Sequence, residues 1–160
     1  MKHFVLILTM AVLTLAGITA EAKKTMVPKM YMFGVAASFN DSIVCFTDVQ
    51  EVSNAWIESK SGFLLDRQNY SLQLKEFLNQ NKQLPHRTCI VYYNTDRTRL
   101  EKKYIKVRRL YTGQKKKKKQ ALNHFDVRFL NEGEFQFKAL DASFYTDTPE
   151  TKQGEAASGK

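Results

Sequence analysis

Two cysteines, three prolines and one tryptophan among 160 residues exclude several architectures at once. Cys45 and Cys89 alone cannot build a disulfide scaffold. Seven glycines and three prolines are too few for a collagen-like repeat or a Pro/Gly-rich low-complexity chain. Apolar residues at 43% and aromatics at 12% exclude global disorder. Acidic residues are also scarce, since 16 Asp and Glu face 25 Lys and Arg, for a net charge of +9. Motifs that carry chemistry are missing too: there is no G-x-S-x-G elbow, phosphate loop, dinucleotide-binding glycine pattern, zinc-protease helix or CxxC pair. Beyond the N-terminal segment the histidines are His86 and His124, and neither lies at a metal-ligand spacing. No residue pattern calls for a metal or a cofactor.

The one long apolar run is at the start of the chain. Lys2 and His3 form a short positive start, residues 4–16 are apolar, and residues 17–22 are small and end Ala20-Glu21-Ala22. This succession is that of a secretory signal, with cleavage expected after Ala22. The apolar run is interrupted by Thr9 and Thr14 and falls short of the roughly 20 residues a membrane span needs. Residues 1–22 are therefore read as a signal peptide, residues 23–145 as a single domain and residues 146–160 as a polar, disordered tail. Such a chain is exported, to the periplasm or beyond, and has no transmembrane segment after cleavage.

Within the domain, residues 29–39 (KMYMFGVAASF) and 42–48 (SIVCFTD) read as two strands joined through Asn40-Asp41, residues that tolerate the positive φ of a hairpin turn. Val49, Val52 and Trp56 fall at helical spacing and predict a short helix. Tyr70, Leu74, Phe77 and Leu78 mark a helix over 69–81, with Asn69 or Asp66 to cap it. Residues 88–93 (TCIVYY) have little polar interruption and read as a central strand. Leu100, Tyr104, Val107 and Tyr111 then recur at i, i+4, i+7 and i+11, the pattern of a helix over 96–111. Phe125-Val127-Phe129 and Phe135-Phe137 alternate with polar residues around Asn131-Glu132-Gly133 and predict a closing hairpin. The expected order is β-β-α-α-β-α-β-β. That order is an α+β, two-layer fold: about five strands in a mostly antiparallel or mixed sheet, with two main helices chiefly on one face.

Charge is concentrated in one place. Residues 96–119 carry twelve Lys and Arg against Asp96 and Glu101, so this segment alone holds ten net positive charges. Arg99, Lys102, Lys103, Lys106 and Arg109 form one stripe of the predicted helix, and Lys115, Lys116, Lys117, Lys118 and Lys119 follow its C-terminal end. Any amphipathic helix has a charged outer side, and a lysine run in a loop can be a solubilising insertion. An ordinary solvated helix, however, mixes both signs. Ten net charges over so small an area attract polyanions with an affinity that falls as salt rises. These ten residues are the candidate anion-binding site. Export disfavours nucleic acid as the partner and favours phospholipid headgroups, anionic glycans or an acidic protein surface.

Two other readings concern the cysteines. Export permits a Cys45–Cys89 disulfide, while burial of each as a small hydrophobe is the alternative. Cys89 with His86 or His124 could form a thiolate–imidazole pair, the basis of a small exported hydrolase or thiol enzyme; burial in an apolar strand would raise the thiol pKa and leave it inert. Asp48 and Glu51 sit at a strand end, where capping accounts for them. Tyr31, Phe33, Tyr92 and Tyr93 read as sheet core.

The segments YMFGVAASFNDSIVCFTDVQ, FLLDRQNYSLQLKEFL and HRTCIVYYNT, with the EKKY helix that follows, resemble a group of small exported proteins of Bacteroidota-type bacteria. The resemblance spans residues 31–140 and implies export and a single domain, with the lysine run an addition in a variable loop. It carries no functional residues with it. The residues themselves point to an exported, non-enzymatic cell-envelope protein, of interaction or structural type, with a basic surface; the thiol enzyme is the second hypothesis.

Overall fold

The computed structural model describes residues 23–113 and 125–141. The expected signal peptide, the lysine run, His124 and the expected tail lie outside the described residues. The elements are β1 (Lys24–Ala37), β2 (Ile43–Thr47), β3 (Gln50–Glu58), α1 (Arg67–Lys82), β4 (Thr88–Asn94), α2 (Arg97–Tyr111) and β5 (Asp126–Leu130). Five strands form one mixed sheet and two helices pack on it, an α+β fold as expected. No helix of the described residues is long and apolar enough to cross a membrane.

β1 organises the sheet. One of its edges pairs antiparallel with β3 along residues 24–32 and then with β2 along 35–37, while its other edge pairs antiparallel with β4. β5 adds to β2 in parallel, which makes the sheet mixed. Between Val35↔Phe46 and Met32↔Gln50 the β2–β3 side advances one residue more than β1, the signature of a bulge. At that bulge the Gly34 N–H turns from the ladder and donates to Thr47 Oγ1 at 2.9 Å.

Alternation along β1 sends its side chains to two cores. Met30, Met32 and Ala36 pack with Tyr70, Leu74 and Leu78 of α1. Phe33 and Val35 pack with Leu100 and Val107 of α2. The helices therefore lie on opposite faces, and the molecule has three layers where two were expected. The physical reason is the near-continuous apolarity of β1, which leaves neither face fit for water. α2 supplies the cover that the second face requires.

Three further expectations are corrected. The helix inferred from Val49, Val52 and Trp56 is strand β3. Asn54 adopts φ 57° opposite Pro28, which has no N–H to give, and there both strands change phase: β3 buries Val52 and then Ala55, and β1 buries Met30 and then turns Val27 inward. Val49 precedes β3 and packs on the α2 side, whereas Val52 is buried on the α1 side, so the spacing that imitated a helix joins two faces of the sheet. Next, β4 is an edge strand and not a central one, for it pairs with β1 alone. Finally, the turn at Asn131 exists, with the Glu134 N–H donating to Asn131 O at 3.0 Å, but Phe135–Phe137 does not pair with β5. It crosses to α1, where Phe135 and Phe77 rings lie 5.1 Å apart and Phe137 meets Tyr70 at 6.4 Å.

Side-chain amides hold that crossing segment. Gln50, buried, donates through Nε2 to Phe135 O at 2.7 Å and accepts from the Phe137 N–H at 2.9 Å. Gln73 does the same one step on, with Lys138 O at 3.0 Å and the Lys138 N–H at 2.8 Å. Two glutamines thus replace a strand partner. At the Ala37 end of β1 Arg87, buried, forks onto Asp41 at 2.7 and 2.5 Å and donates to Ile43 O at 2.8 Å, which fixes the β1–β2 connection. That connection spans five residues where a two-residue turn was expected, because Asp41 Oδ1 also accepts from the Ile43 N–H.

Candidate functional site

α2 is built by a clear local signal. Asp96 stands at its N-cap and accepts from the Arg99 N–H at 3.1 Å, while Asn94 Oδ1 accepts from the Asp96 N–H at 2.7 Å. At about 100° per residue, Leu100, Tyr104, Val107 and Tyr111 fall within roughly 60° of arc. Leu100 and Val107 are buried, and the two tyrosine rings meet Phe46 edge-on at 6.0 and 5.7 Å. Tyr104 also meets Phe33 at 5.1 Å, and burial first, then Asp48, raises its hydroxyl pKa. These contacts fix which side of α2 meets solvent.

The solvent side carries the stripe that the sequence predicts, and Arg99, Lys102, Lys103, Lys106 and Arg109 are all exposed. They occupy an arc of roughly 120°, beginning on the side of the helix away from the sheet. Their partners differ. Arg99 Nε lies 3.3 Å from Asp96 Oδ2, and Lys103 Nζ stands 5.4 Å over the Tyr92 ring, itself stacked on Phe33. Lys102, Lys106 and Arg109 have no acidic partner among the described residues. The one other acid of the helix, Glu101, is paired with Arg97 at 2.8 Å, off the stripe. Arg108 lies on the opposite flank, 5.4 Å over the Phe129 ring of β5. Lys115 to Lys119 lie outside the described residues.

Like charges three and four apart on a helix repel by about 0.2–0.5 kcal/mol per pair at low salt. Lys102 and Lys106, Lys106 and Arg109, and Arg99 and Lys103 are such pairs. Their repulsion is offset in part where a cation finds a ring or a carboxylate, and not at all at Lys102, Lys106 and Arg109. The arrangement suits an external polyanion that inserts negative charge among them.

The cysteines are brought to one face but not together. Cys45 of β2 and Cys89 of β4 both register against Ala36, from opposite edges of β1. Two strand spacings, about 9.5 Å, separate them, beyond the roughly 7 Å a disulfide tolerates. Both thiols are free, so of the two readings the structure has the one without a disulfide. Burial pushes the Cys45 thiol up and the Cys89 thiol up to about 11. The shallow groove beside Cys89 is lined by Ser71, Lys75 and Arg87, and His86 is not among its walls. His86 is exposed, with φ 58°. Among the described residues no three His, Cys, Asp or Glu side chains cluster as metal ligands do.

Two features of α2 escape a reading by charge alone. Ile105 and Leu110 are 46% and 47% exposed. The same helical wheel that reveals the basic stripe places both outside the buried arc, so the signal was present. Comparison with protein-family models, curated proteins and solved structures gives no match.

Proposed function

We propose that this chain is an exported, non-enzymatic protein of the cell envelope that binds an anionic partner through the outer face of α2. The observation that carries the reading is the trio Lys102, Lys106 and Arg109: exposed, spaced three and four apart, and without an acidic partner among the described residues. An ordered helix fixed to a sheet by aromatic contacts holds the backbone that carries these charges, so no backbone ordering is required when they meet an anion. Lys115 to Lys119 follow the helix in the sequence and add five positive charges. The succession Lys2-His3, apolar run and Ala20-Glu21-Ala22 supports export. The raised pKa of the half-buried Cys89 thiol supports a binding role over thiol chemistry, because at pH 7 a thiol titrating near 11 is almost wholly protonated.

The test is binding of the processed chain to a sulfated polysaccharide and to anionic vesicles at stepped salt. Binding at 50 mM salt that is mostly lost near 0.3 M, where the Debye length is about 5–6 Å, is the expected result. Replacing Lys102, Lys106 and Arg109 together by Gln weakens binding to both probes. Absence of binding to either probe at 50 mM salt would show the basic face to be only solvated.

A further inference from the structure

We infer that the anionic partner of α2 is a phospholipid surface. This rests on the anion-binding reading above and adds the apolar half of the site. Counting from Leu100 at about 100° per residue, Ile105 lies near 140° and Leu110 near 280°, with Arg109, Lys102 and Lys106 between them at about 180–240°. Two half-exposed aliphatic side chains thus bracket the unpaired cations. On the Leu110 flank, where Lys103 reaches over Tyr92, β4 adds Ile90, 43% exposed and on the same face of its strand as Tyr92.

A scattered exposed Leu or Ile is ordinary and means nothing. Here the exposed aliphatics flank one cation cluster on one side of one helix, and that combination selects among anionic partners. A sulfated or carboxylated glycan has charge for the lysines and no apolar phase for Ile105 or Leu110. A lipid surface has both: phosphates at the level of the Lys and Arg heads, and the acyl boundary just beneath for aliphatic side chains. The long stems of Lys102, Lys106 and Arg109 let their heads stay at the phosphates while the helix settles. α2 lies along the outside of the sheet, so its outer face can rest in the plane of a bilayer with β1–β5 behind it.

The experiment compares the processed chain on three probes: neutral phosphatidylcholine vesicles, vesicles of phosphatidylcholine with 30 mol% phosphatidylglycerol, and a soluble sulfated polysaccharide. Ile105→Ser with Leu110→Ser should lower affinity for the anionic vesicles by about tenfold and change polysaccharide binding less than twofold. The Lys102, Lys106 and Arg109 triple Gln variant should weaken both. Ile105→Trp made together with Trp56→Phe gives a second readout, since the single tryptophan then sits at 105 and its emission should shift to the blue on anionic vesicles and stay unchanged on polysaccharide; thermal melts confirm that the variants fold. Unchanged vesicle affinity in the double Ser variant, with no blue shift at residue 105, overturns the lipid assignment while the anion-binding reading stands. Tighter binding to polysaccharide than to anionic vesicles overturns it in favour of a glycan. Failure on both anionic probes at 50 mM salt removes the anion-binding reading itself, and this inference with it.

Discussion

A Cβ on Gly34 would stand 2.5 Å from Leu74 Cδ2 and 3.2 Å from Phe137 Cζ. Gly34 is therefore a packing glycine, placed where α1 and the crossing segment both descend on β1 at its bulge. Leu74 is fully buried in the core with Tyr70, Leu78 and Phe137, so its Cδ2 can yield only by moving among packed neighbours. Gly34→Ala should cost about 1–3 kcal/mol, the usual range for an overpacked core. Combining it with Leu74→Ala, itself expected to cost about 2–5 kcal/mol, should cost less than the sum, because the added methyl then occupies vacated space. Denaturant melts of the two single variants and the double variant measure this. Additive losses would mean that the two sites do not share one contact.

How much of this was legible in the sequence depends on where backbone groups find partners. α2 was legible almost to its ends, because its cap and its apolar spacing are local. The sheet was legible in number and class and not in arrangement, because the partner of a strand is set by contacts far along the chain. Gln50 illustrates the difference. Its amide meets Phe135 and Phe137, more than 80 residues away, and so draws off the segment that alternation assigns to a closing strand. The kink at Asn54 could have been suspected from its type, but only the facing Pro28 makes it necessary. The basic stripe was legible because a helical wheel needs nothing beyond α2; its lack of acidic partners required knowledge of which residues surround it.

The free cysteines lead to a chemical prediction. With the Cys89 thiol titrating near 11, its thiolate fraction at pH 8 is about one in a thousand, and rises about tenfold per pH unit up to pH 10. Native alkylation of Cys89 should follow that slope, and Cys45, buried, should stay behind it. In denaturant without reductant both thiols should react. Finding no reactive thiol in the denatured chain would mean that a disulfide forms after all, against the register on Ala36.

Acid stability should report the Asp41–Arg87 fork. The hydrogen bond from Arg87 holds the Asp41 carboxyl below its ordinary pKa, against a smaller opposing effect of burial. A carboxyl whose folded pKa is depressed contributes stability that is present above its unfolded pKa, near 4, and is lost as pH falls through the folded value. Asp41→Asn should therefore lower the melting temperature at pH 7 and flatten the decline below pH 4. The decline persists in part, because Glu51 beside Lys29 and Glu134 beside Lys82 are depressed in the same sense. An unchanged acid profile in the variant would locate the acid sensitivity elsewhere.

The basic face should also reveal itself in stability, without any ligand. Lys106 is three or four residues from Lys102, Lys103 and Arg109, so each neighbour on the stripe repels it. Replacing it with Glu turns three repulsions into three attractions. At about 0.2–0.5 kcal/mol for each lost repulsion and a similar gain for each new pair, Lys106→Glu should stabilise the protein by about 1–3 kcal/mol at 20 mM salt, a rise of several degrees in melting temperature. The gain should shrink by 0.5 M salt, because exposed charges are then screened within a few ångströms. The same substitution should weaken binding to anionic vesicles more than Lys106→Gln does, since it places a negative charge between Lys102 and Arg109. A variant that becomes more stable while binding less would show that the stripe is maintained against its own repulsion. If Lys106→Glu instead leaves the melting temperature unchanged at 20 mM salt, the cations are too far apart or too well hydrated to act as one site, and the anion-binding reading loses its electrostatic basis.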